Sequence, residues 1–308
     1  MIIFRLISSY MAVLTLLGAL IGYFLPPVML IFKDVFLWMF AATMFALGIV
    51  LQPPELKQTL REPKAIALGV LTQYSVMPLL GFTAAYFGSL SPELALGFVI
   101  VGCAPGAMAS NVIVYLAGGA LAFSIALTTL ATMLSPLLTP FLVQQLGGAF
   151  LPVAFLPLMK TILLTVLLPL LLGMVVRRKL GRLLAPVEEI APAIAALAII
   201  IICSYAVAAN HERIAEVGGK VILLVIILNA LGYLSGGLLA RLYRFDRKHQ
   251  LTLAIEIGMQ NAGLGVALAL KHFPPETALP GALFAVWCIV TAAGASAWYR
   301  AHYQPVAV

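Results

Sequence analysis

An all-α polytopic membrane protein is the fold class this sequence predicts, and three observations predict it. Of its 308 residues, 63% are hydrophobic and only 9% are charged, against about 25% charged in soluble domains. The mean hydropathy is +1.10. The apolar residues fall into runs of the length a bilayer asks for, about 20 residues each. Ten of the eleven acids lie at the ends of these runs or between them; Glu256 alone lies inside one.

The runs give ten expected spans, at 9–30, 35–52, 65–87, 94–117, 120–143, 153–176, 187–209, 220–240, 250–270 and 280–299. Residues 1–29 resemble a signal peptide in having Arg5 ahead of an apolar run. They offer no small-residue cleavage site and more spans follow, so they read as the first span. Pro136 and Pro140 shape the end of span five. Gly18-x-x-x-Gly22 and Gly232-x-x-x-Gly236 mark close helix packing in spans one and eight.

Basic residues orient the spans. With the N-terminus inside, the cytoplasmic positions hold Arg5, Lys57, Arg61, Lys64, Arg177, Arg178, Lys179, Arg182, Arg241, Arg244, Arg247, Lys248 and Arg300. The outside holds Lys33, Arg213, Lys220 and Lys271, and Lys160 in span six snorkels toward the outer interface. Both termini are therefore expected in the cytoplasm, with the short loops of a bacterial inner-membrane protein. This asymmetry explains the net charge of +7 without nucleic acid. Cys103, Cys203 and Cys288 lie in apolar runs and are odd in number, which argues against a disulfide framework. No His, Asp or Cys lies at ligand spacing to them, so no metal cofactor is expected. The four histidines fall outside the spans and make no proton relay.

Ten spans divide into five and five, and a tandem repeat of an odd number of spans must invert in the membrane. The expected halves are residues 1–148 and 149–308. Span four carries Gly102-Cys-Ala-Pro-Gly-Ala-Met-Ala-Ser-Asn111, and its counterpart, span nine, carries Glu256-Ile-Gly-Met-Gln-Asn-Ala-Gly263. Each interrupts an apolar run with glycine and a polar pair ending in Asn. Paired broken helices at matching positions point to the central site of a transporter. Pro105 lacks a backbone donor and favours the break in span four.

A carboxylate at membrane depth costs about 2.5–3.5 kcal/mol or more, so Glu256 should have a partner and a task. Other oxygen-bearing side chains fall near its depth: Gln73, Ser124, Thr128 and Gln260. Ser124 and Thr128 are one helical turn apart and share a face. Hard cations prefer oxygen ligands, and carboxylate, amide, hydroxyl and freed backbone oxygens would suit sodium. Ser and Thr in membrane helices also stitch helices together or bond their own backbone, and either hydroxyl taken singly fits that bland role as well. Backbone N–H groups freed near 107–110 and 261–263 would suit a carboxylate.

These motifs resemble the bile acid:sodium symporter family. The run Glu256-Ile-Gly-Met-Gln-Asn-Ala-Gly-Leu264 is the specific part. Gly102 to Asn111, Ser124 with Thr128, Gln73-Tyr-Ser-Val-Met-Pro78, Ser135-Pro-Leu-Leu-Thr-Pro140 and Pro280-Gly-Ala-Leu-Phe-Ala-Val-Trp287 match in order. The resemblance implies an inverted repeat of ten helices, with spans one, two, six and seven forming a panel and the other six a core in which broken helices four and nine cross. It implies one sodium held by Ser110, Asn111, Ser124, Thr128 and Glu256. It implies a second held by Gln73, Glu256, Gln260 and the carbonyls around Ile257 and Met259. Asn261 would face substrate between panel and core, beside Ala107 and Met108.

Two departures bear on substrate. Relatives that take bile acids often have His-Asn after the Trp of helix ten, where this chain has Cys288-Ile289. They also tend to have Thr where Met108 stands. The sodium constellation is complete, while two polar substrate contacts are missing. The expectation is a sodium-coupled symporter of an organic anion, either a bile acid or a small pantoate-like carboxylate, with no nucleic-acid and no obligate protein partner. A cation/proton antiporter of related fold would want an intramembrane Asp pair or Asp-Lys arrangement, and no Asp lies in a span. An intramembrane protease or prenyltransferase would want paired Asp, Ser/His, a zinc motif or Asp-rich motifs, and none is present.

Overall fold

The computed structural model describes residues 11–51 and 62–303. Arg5, Lys57 and Arg61, which entered the charge asymmetry, lie outside the described residues. All regular secondary structure among the described residues is helical, apart from one isolated antiparallel bridge between Gly106 and Gln260. In chain order the helices are α1 Met11–Phe24, α2 Pro26–Leu30, α3 Phe36–Val50, α4 Pro63–Phe87, α5 Pro92–Cys103, α6 Ser110–Ala117 and α7 Leu121–Leu142. There follow α8 Phe155–Ile162, α9 Leu168–Leu180, α10 Ala185–Ala208, α11 His211–Leu242, α12 Arg247–Gly258, α13 Ala262–His272 and α14 Leu279–Tyr303.

Five of the described stretches are individually long and apolar enough to cross a membrane: Pro63–Phe87, Leu121–Gly147, Phe155–Leu180, His211–Leu242 and Pro275–Ala292. A sixth arises if Val13–Phe24 and Pro26–Asp34 are taken together, but these meet at 110°. The first expected span is therefore not one straight helix to residue 30. Pro26 and Pro27 supply no N–H to continue the ladder from α1, so the chain turns at Leu25 and restarts with proline in its first turn. Pro136 and Pro140 do not end α7, which runs through both and changes to π-type turns over Val143–Gly147. The four histidines, expected in loops or tails between the spans, all lie in helices: His211 opens α11, His249 is in the first turn of α12, His272 ends α13 and His302 is in the last turn of α14.

The main core is a cluster of buried apolar side chains from most of the helices, with Phe40, Phe98, Phe284, Met44 and Met77 fully enclosed. Glycines set its closest approaches. A Cβ on Gly81 of α4 would stand 2.6 Å from the Phe98 carbonyl of α5. A Cβ on Gly236 of α11 would stand 2.7 Å from the Leu253 carbonyl of α12, and one on Gly232 would stand 3.2 Å from the Ile257 carbonyl. The Gly232-x-x-x-Gly236 pair thus seats α11 against α12, and Gly18 and Gly22 seat α1 against Ser204 of α10 in the same way. Lipid offers no hydrophobic drive between helices, so backbone approach of this kind carries much of their association.

Candidate functional site

The site begins with two interrupted helices. α5 stops at Cys103 because Ala104 precedes Pro105; that residue is pushed to extended geometry and adopts φ −69° and ψ 152°. α12 stops at Gly258 without a proline. Met259 is extended, and Asn261 caps the restart, its Oδ1 accepting from Leu264 N at 3.1 Å. The two gaps lie side by side and pair: Ala107 N donates to Met259 O at 2.9 Å and Asn261 N donates to Pro105 O at 2.8 Å. Backbone groups freed by each break are satisfied by the other, which lets irregular backbone persist inside an apolar protein.

Glu256 lies in the last turn of α12 and is 1% exposed. Ser110 from the start of α6 donates to its Oε1 at 2.6 Å, and Ser124 of α7 also donates to that oxygen. Thr128, one turn along α7, reaches Oε2 at 2.9 Å. Asn111 Oδ1 stands 2.7 Å from Ser124 Oγ and 3.5 Å from Thr128 Oγ1. All five residues expected for the first cation site therefore converge. Each hydroxyl owns one proton but has two lone pairs, so three protons face two carboxylate oxygens, an amide oxygen and the Ser124 carbonyl, which Thr128 can also reach. The cluster is rich in acceptors. None of the ion pairs among the described residues involves Glu256. A buried carboxylate with neutral oxygens around it and no basic partner suits a small hard cation.

The residues expected for the second site also come together. Gln73 of α4, 1% exposed, donates through Nε2 to Gln260 Oε1 at 2.7 Å and to the Ala104 carbonyl at 3.0 Å. Gln260 Nε2 donates to the Ile257 carbonyl at 2.8 Å. Gly106 leaves a cradle beside them: a Cβ there would lie 3.0 Å from Glu256 Oε2, 3.7 Å from the Glu256 carbonyl and 3.9 Å from the Met259 carbonyl. Each carbonyl keeps a second lone pair for a cation.

The residues expected to face substrate are less unified. Asn261 is 7% exposed and spends its Oδ1 on the cap, which leaves its Nδ2 for another partner. Ala107 pairs through its backbone, as above. Met108 packs beside Leu51, Ile125 and Leu170, an apolar contact from α3 and α9 to α7. Cys288 is buried in the main core with its thiol toward the Ala285 carbonyl, and Ile289 packs against that core. No hydrogen bond among the described residues joins Cys288 or Ile289 to Asn261.

Two polar residues near the breaks escaped the sequence reading. Thr252 Oγ1 accepts from Ala120 N at 2.8 Å and tethers the start of α7 to α12. Asn229, 2% exposed in the apolar α11, donates to the Gly258 carbonyl at 2.8 Å. An amide in an apolar run three residues before Gly232 was the available signal for Asn229.

Helices of membrane-spanning length around a buried, acceptor-rich carboxylate mark an integral membrane protein with a candidate cation site, and the relatives, named as transporters, place it among transporters rather than enzymes. Comparison gives the particular family: the signature of the sodium bile acid symporter family matches residues 35–217, and the chain belongs to that family. The chain is 38% identical over 269 residues to YocS of Bacillus subtilis (strain 168), which is named an uncharacterized sodium-dependent transporter; the match covers 87% of this chain and 84% of that protein. It is 38% identical over 245 residues to the probable sodium/metabolite cotransporter BASS1 of Arabidopsis thaliana chloroplasts, across 79% of this chain but only 61% of the plant protein. It is 30% identical over 300 residues to BASS2 of Oryza sativa subsp. japonica, across 97% of this chain and 72% of that one.

Proposed function

We propose that this protein is a sodium-coupled symporter of a small organic anion, working by alternating access. The observation that carries the reading is Glu256, enclosed with Ser110, Asn111, Ser124 and Thr128 on one side and the Gly106 cradle on the other, without a basic partner among the described residues. One sodium is bound by the first group. A second is bound by Gln73, Glu256, Gln260 and the carbonyls at Ile257 and Met259. Both draw on one carboxylate, so filling both sites offsets its charge and stiffens the paired breaks. Relatives named sodium-dependent transporter and sodium/metabolite cotransporter support sodium as the coupling ion.

The architecture in this reading is ten spans in two inverted halves, 1–148 and 149–308. Spans one, two, six and seven form the panel, and spans three to five and eight to ten form the core. Both termini are cytoplasmic and the bilayer is a bacterial inner membrane. Substrate binds beside Asn261, Ala107 and Met108, near Cys288 and Ile289. Met108 and Cys288 offer no polar partner, and a site without partners for polar groups does not favour a ligand that needs them. The substrate is therefore a pantoate-like hydroxy acid rather than a conjugated bile salt.

Proteoliposomes loaded against an inward sodium gradient test this. Labelled pantoate should accumulate with sodium and not with potassium, and Asn261→Ala should remove the uptake. Sodium-dependent taurocholate uptake that ignores excess pantoate would overturn the substrate assignment. Uptake driven by a proton gradient with no sodium would overturn the sodium coupling, and sodium–proton exchange without anion uptake would favour the cation/proton antiporter instead.

A further inference from the structure

The break after Gly258 strips three carbonyls of their helical hydrogen bonds, and each can be followed to a new donor. In an unbroken helix Ile257, Gly258 and Met259 would receive N–H groups from Asn261, Ala262 and Gly263. Asn261 N instead donates to Pro105 O, and Ala262 N to Gln260 O at 2.7 Å. Ile257 O takes the Gln260 side chain and Met259 O takes Ala107 N. Both replacement donors for these carbonyls come from within the paired breaks. The Gly258 carbonyl is different. Its donor, Asn229 Nδ2, comes from α11, a helix outside the breaks.

Asn229 is itself held. Thr291 of α14 can donate to Asn229 Oδ1 at 2.9 Å, with the Trp287 and Cys288 carbonyls as its alternative acceptors at 3.0 and 3.2 Å. Tyr233 OH lies 3.5 Å from Thr291 Oγ1. The ring of Tyr233 covers Gly258: a Cβ built there would fall 2.5–2.7 Å from its ring carbons. Asn229, Gly232, Tyr233 and Gly236 share one face of α11, three and four residues apart. That face is the one seated on α12.

We infer that Asn229 and Thr291 are positioning residues for the cation site at the break of α12. They fix the Gly258 carbonyl, and with it the backbone between Glu256, whose carboxylate lines the site, and Met259, whose carbonyl borders the Gly106 cradle. They also tie that site to α14, about one turn beyond Cys288, through a single hydrogen-bonded chain. The inference rests on the second sodium site of the proposed function. Groups that orient metal ligands without touching the metal typically change affinity by about 10–100-fold when removed.

The test uses purified full-length protein in proteoliposomes, with the half-saturating sodium concentration for uptake as readout and labelled pantoate as probe. Asn229→Ala should raise half-saturating sodium about tenfold while leaving the substrate KM at saturating sodium within about twofold. Thr291→Val keeps shape but removes the hydroxyl, and should raise half-saturating sodium about threefold; Thr291→Ser, which keeps the hydroxyl, should restore it. If Asn229→Ala does not fold, the Val and Ser pair at 291 decides alone. A sodium response in folded Asn229→Ala, or in Thr291→Val, equal to that of the wild type overturns the inference. Failure of the underlying reading looks different: the wild type itself would then show no sodium dependence.

Discussion

The two breaks in this protein do the same job by different chemistry. The gap between α5 and α6 is written into the backbone: Pro105 forces Ala104 out of the helix whatever surrounds it. The gap between α12 and α13 holds no proline. It depends on side chains, with Asn261 capping the restart, Gln260 covering the Ile257 carbonyl and Asn229 covering that of Gly258. The first break supplies neutral oxygens and a glycine cradle, while the second carries the only buried charge of the pair. A break set by the backbone thus faces one set by side chains, and the second bears the carboxylate. That is the division expected where occupation by ions and substrate must change the structure without unfolding it.

The sharpest way to break this comparison is to remove the charge. Glu256→Gln keeps volume and some hydrogen bonding but offers no charge to offset a cation. Sodium-driven uptake should fall by more than about 100-fold, with the purified protein still monodisperse in detergent. Uptake at wild-type rates would remove Glu256 from the mechanism.

A second substitution pair compares the glycines of the two breaks. Gly106→Ala places a methyl 3.0 Å from Glu256 Oε2, inside the cradle, whereas a Cβ on Gly263 meets nothing nearer than 3.5 Å. Gly106→Ala should weaken sodium activation about tenfold or more, and Gly263→Ala should change it by less than about threefold. Equal effects would mean that the cradle is not a ligand space.

Removing both hydroxyls with Ser124→Ala and Thr128→Ala should shrink the rise in melting temperature that sodium gives the wild type, because stabilisation by a ligand follows its affinity. The melting temperature without sodium should move less. An unchanged sodium-induced shift would return these hydroxyls to helix stitching.

The smallest effect lies away from the breaks. Asp246 caps α12 by accepting from Lys248 N at 2.8 Å and His249 N at 3.0 Å, and its side chain also meets the His249 ring. Slight burial alone would raise its pKa, but those donors and the nearby imidazole outweigh it and hold the carboxyl below its usual range. A depressed carboxyl stabilises the fold above its unfolded pKa of about 3.9 and loses that contribution as pH falls through the folded value. Asp246→Ala should cost about 1 kcal/mol at neutral pH, and the gap to the wild type should close in strong acid. Transport coupling should not change.

How much of this was legible in the sequence follows the same contrast. Pro105 announced its break, because a proline acts locally. The break in span nine was legible only as a cluster of glycines and amides; Ser124 and Thr128 could be named as polar groups at the depth of Glu256, while Ser110 and Asn111 entered as its partners through the family resemblance. Asn229 was passed over because its meaning depends on which carbonyl the break leaves bare, and that is a fact of tertiary packing. The bend at Leu25 was missed for another reason. Residues 9–30 are uncharged and mostly apolar, and hydropathy counts length without registering that Pro26 and Pro27 stop the hydrogen-bond ladder. Cys288 and Ile289 enter only through the family resemblance, as positions where relatives carry polar groups, and the pattern alone does not say which way a helix turns such a face.

The central claim is that the charge of Glu256 is balanced by sodium, and equilibrium binding of radiolabelled sodium to purified protein tests it most directly. The wild type should bind sodium saturably, potassium should not compete, and Glu256→Gln should lose the binding. Saturable sodium binding in Glu256→Gln at the wild-type affinity would contradict the account.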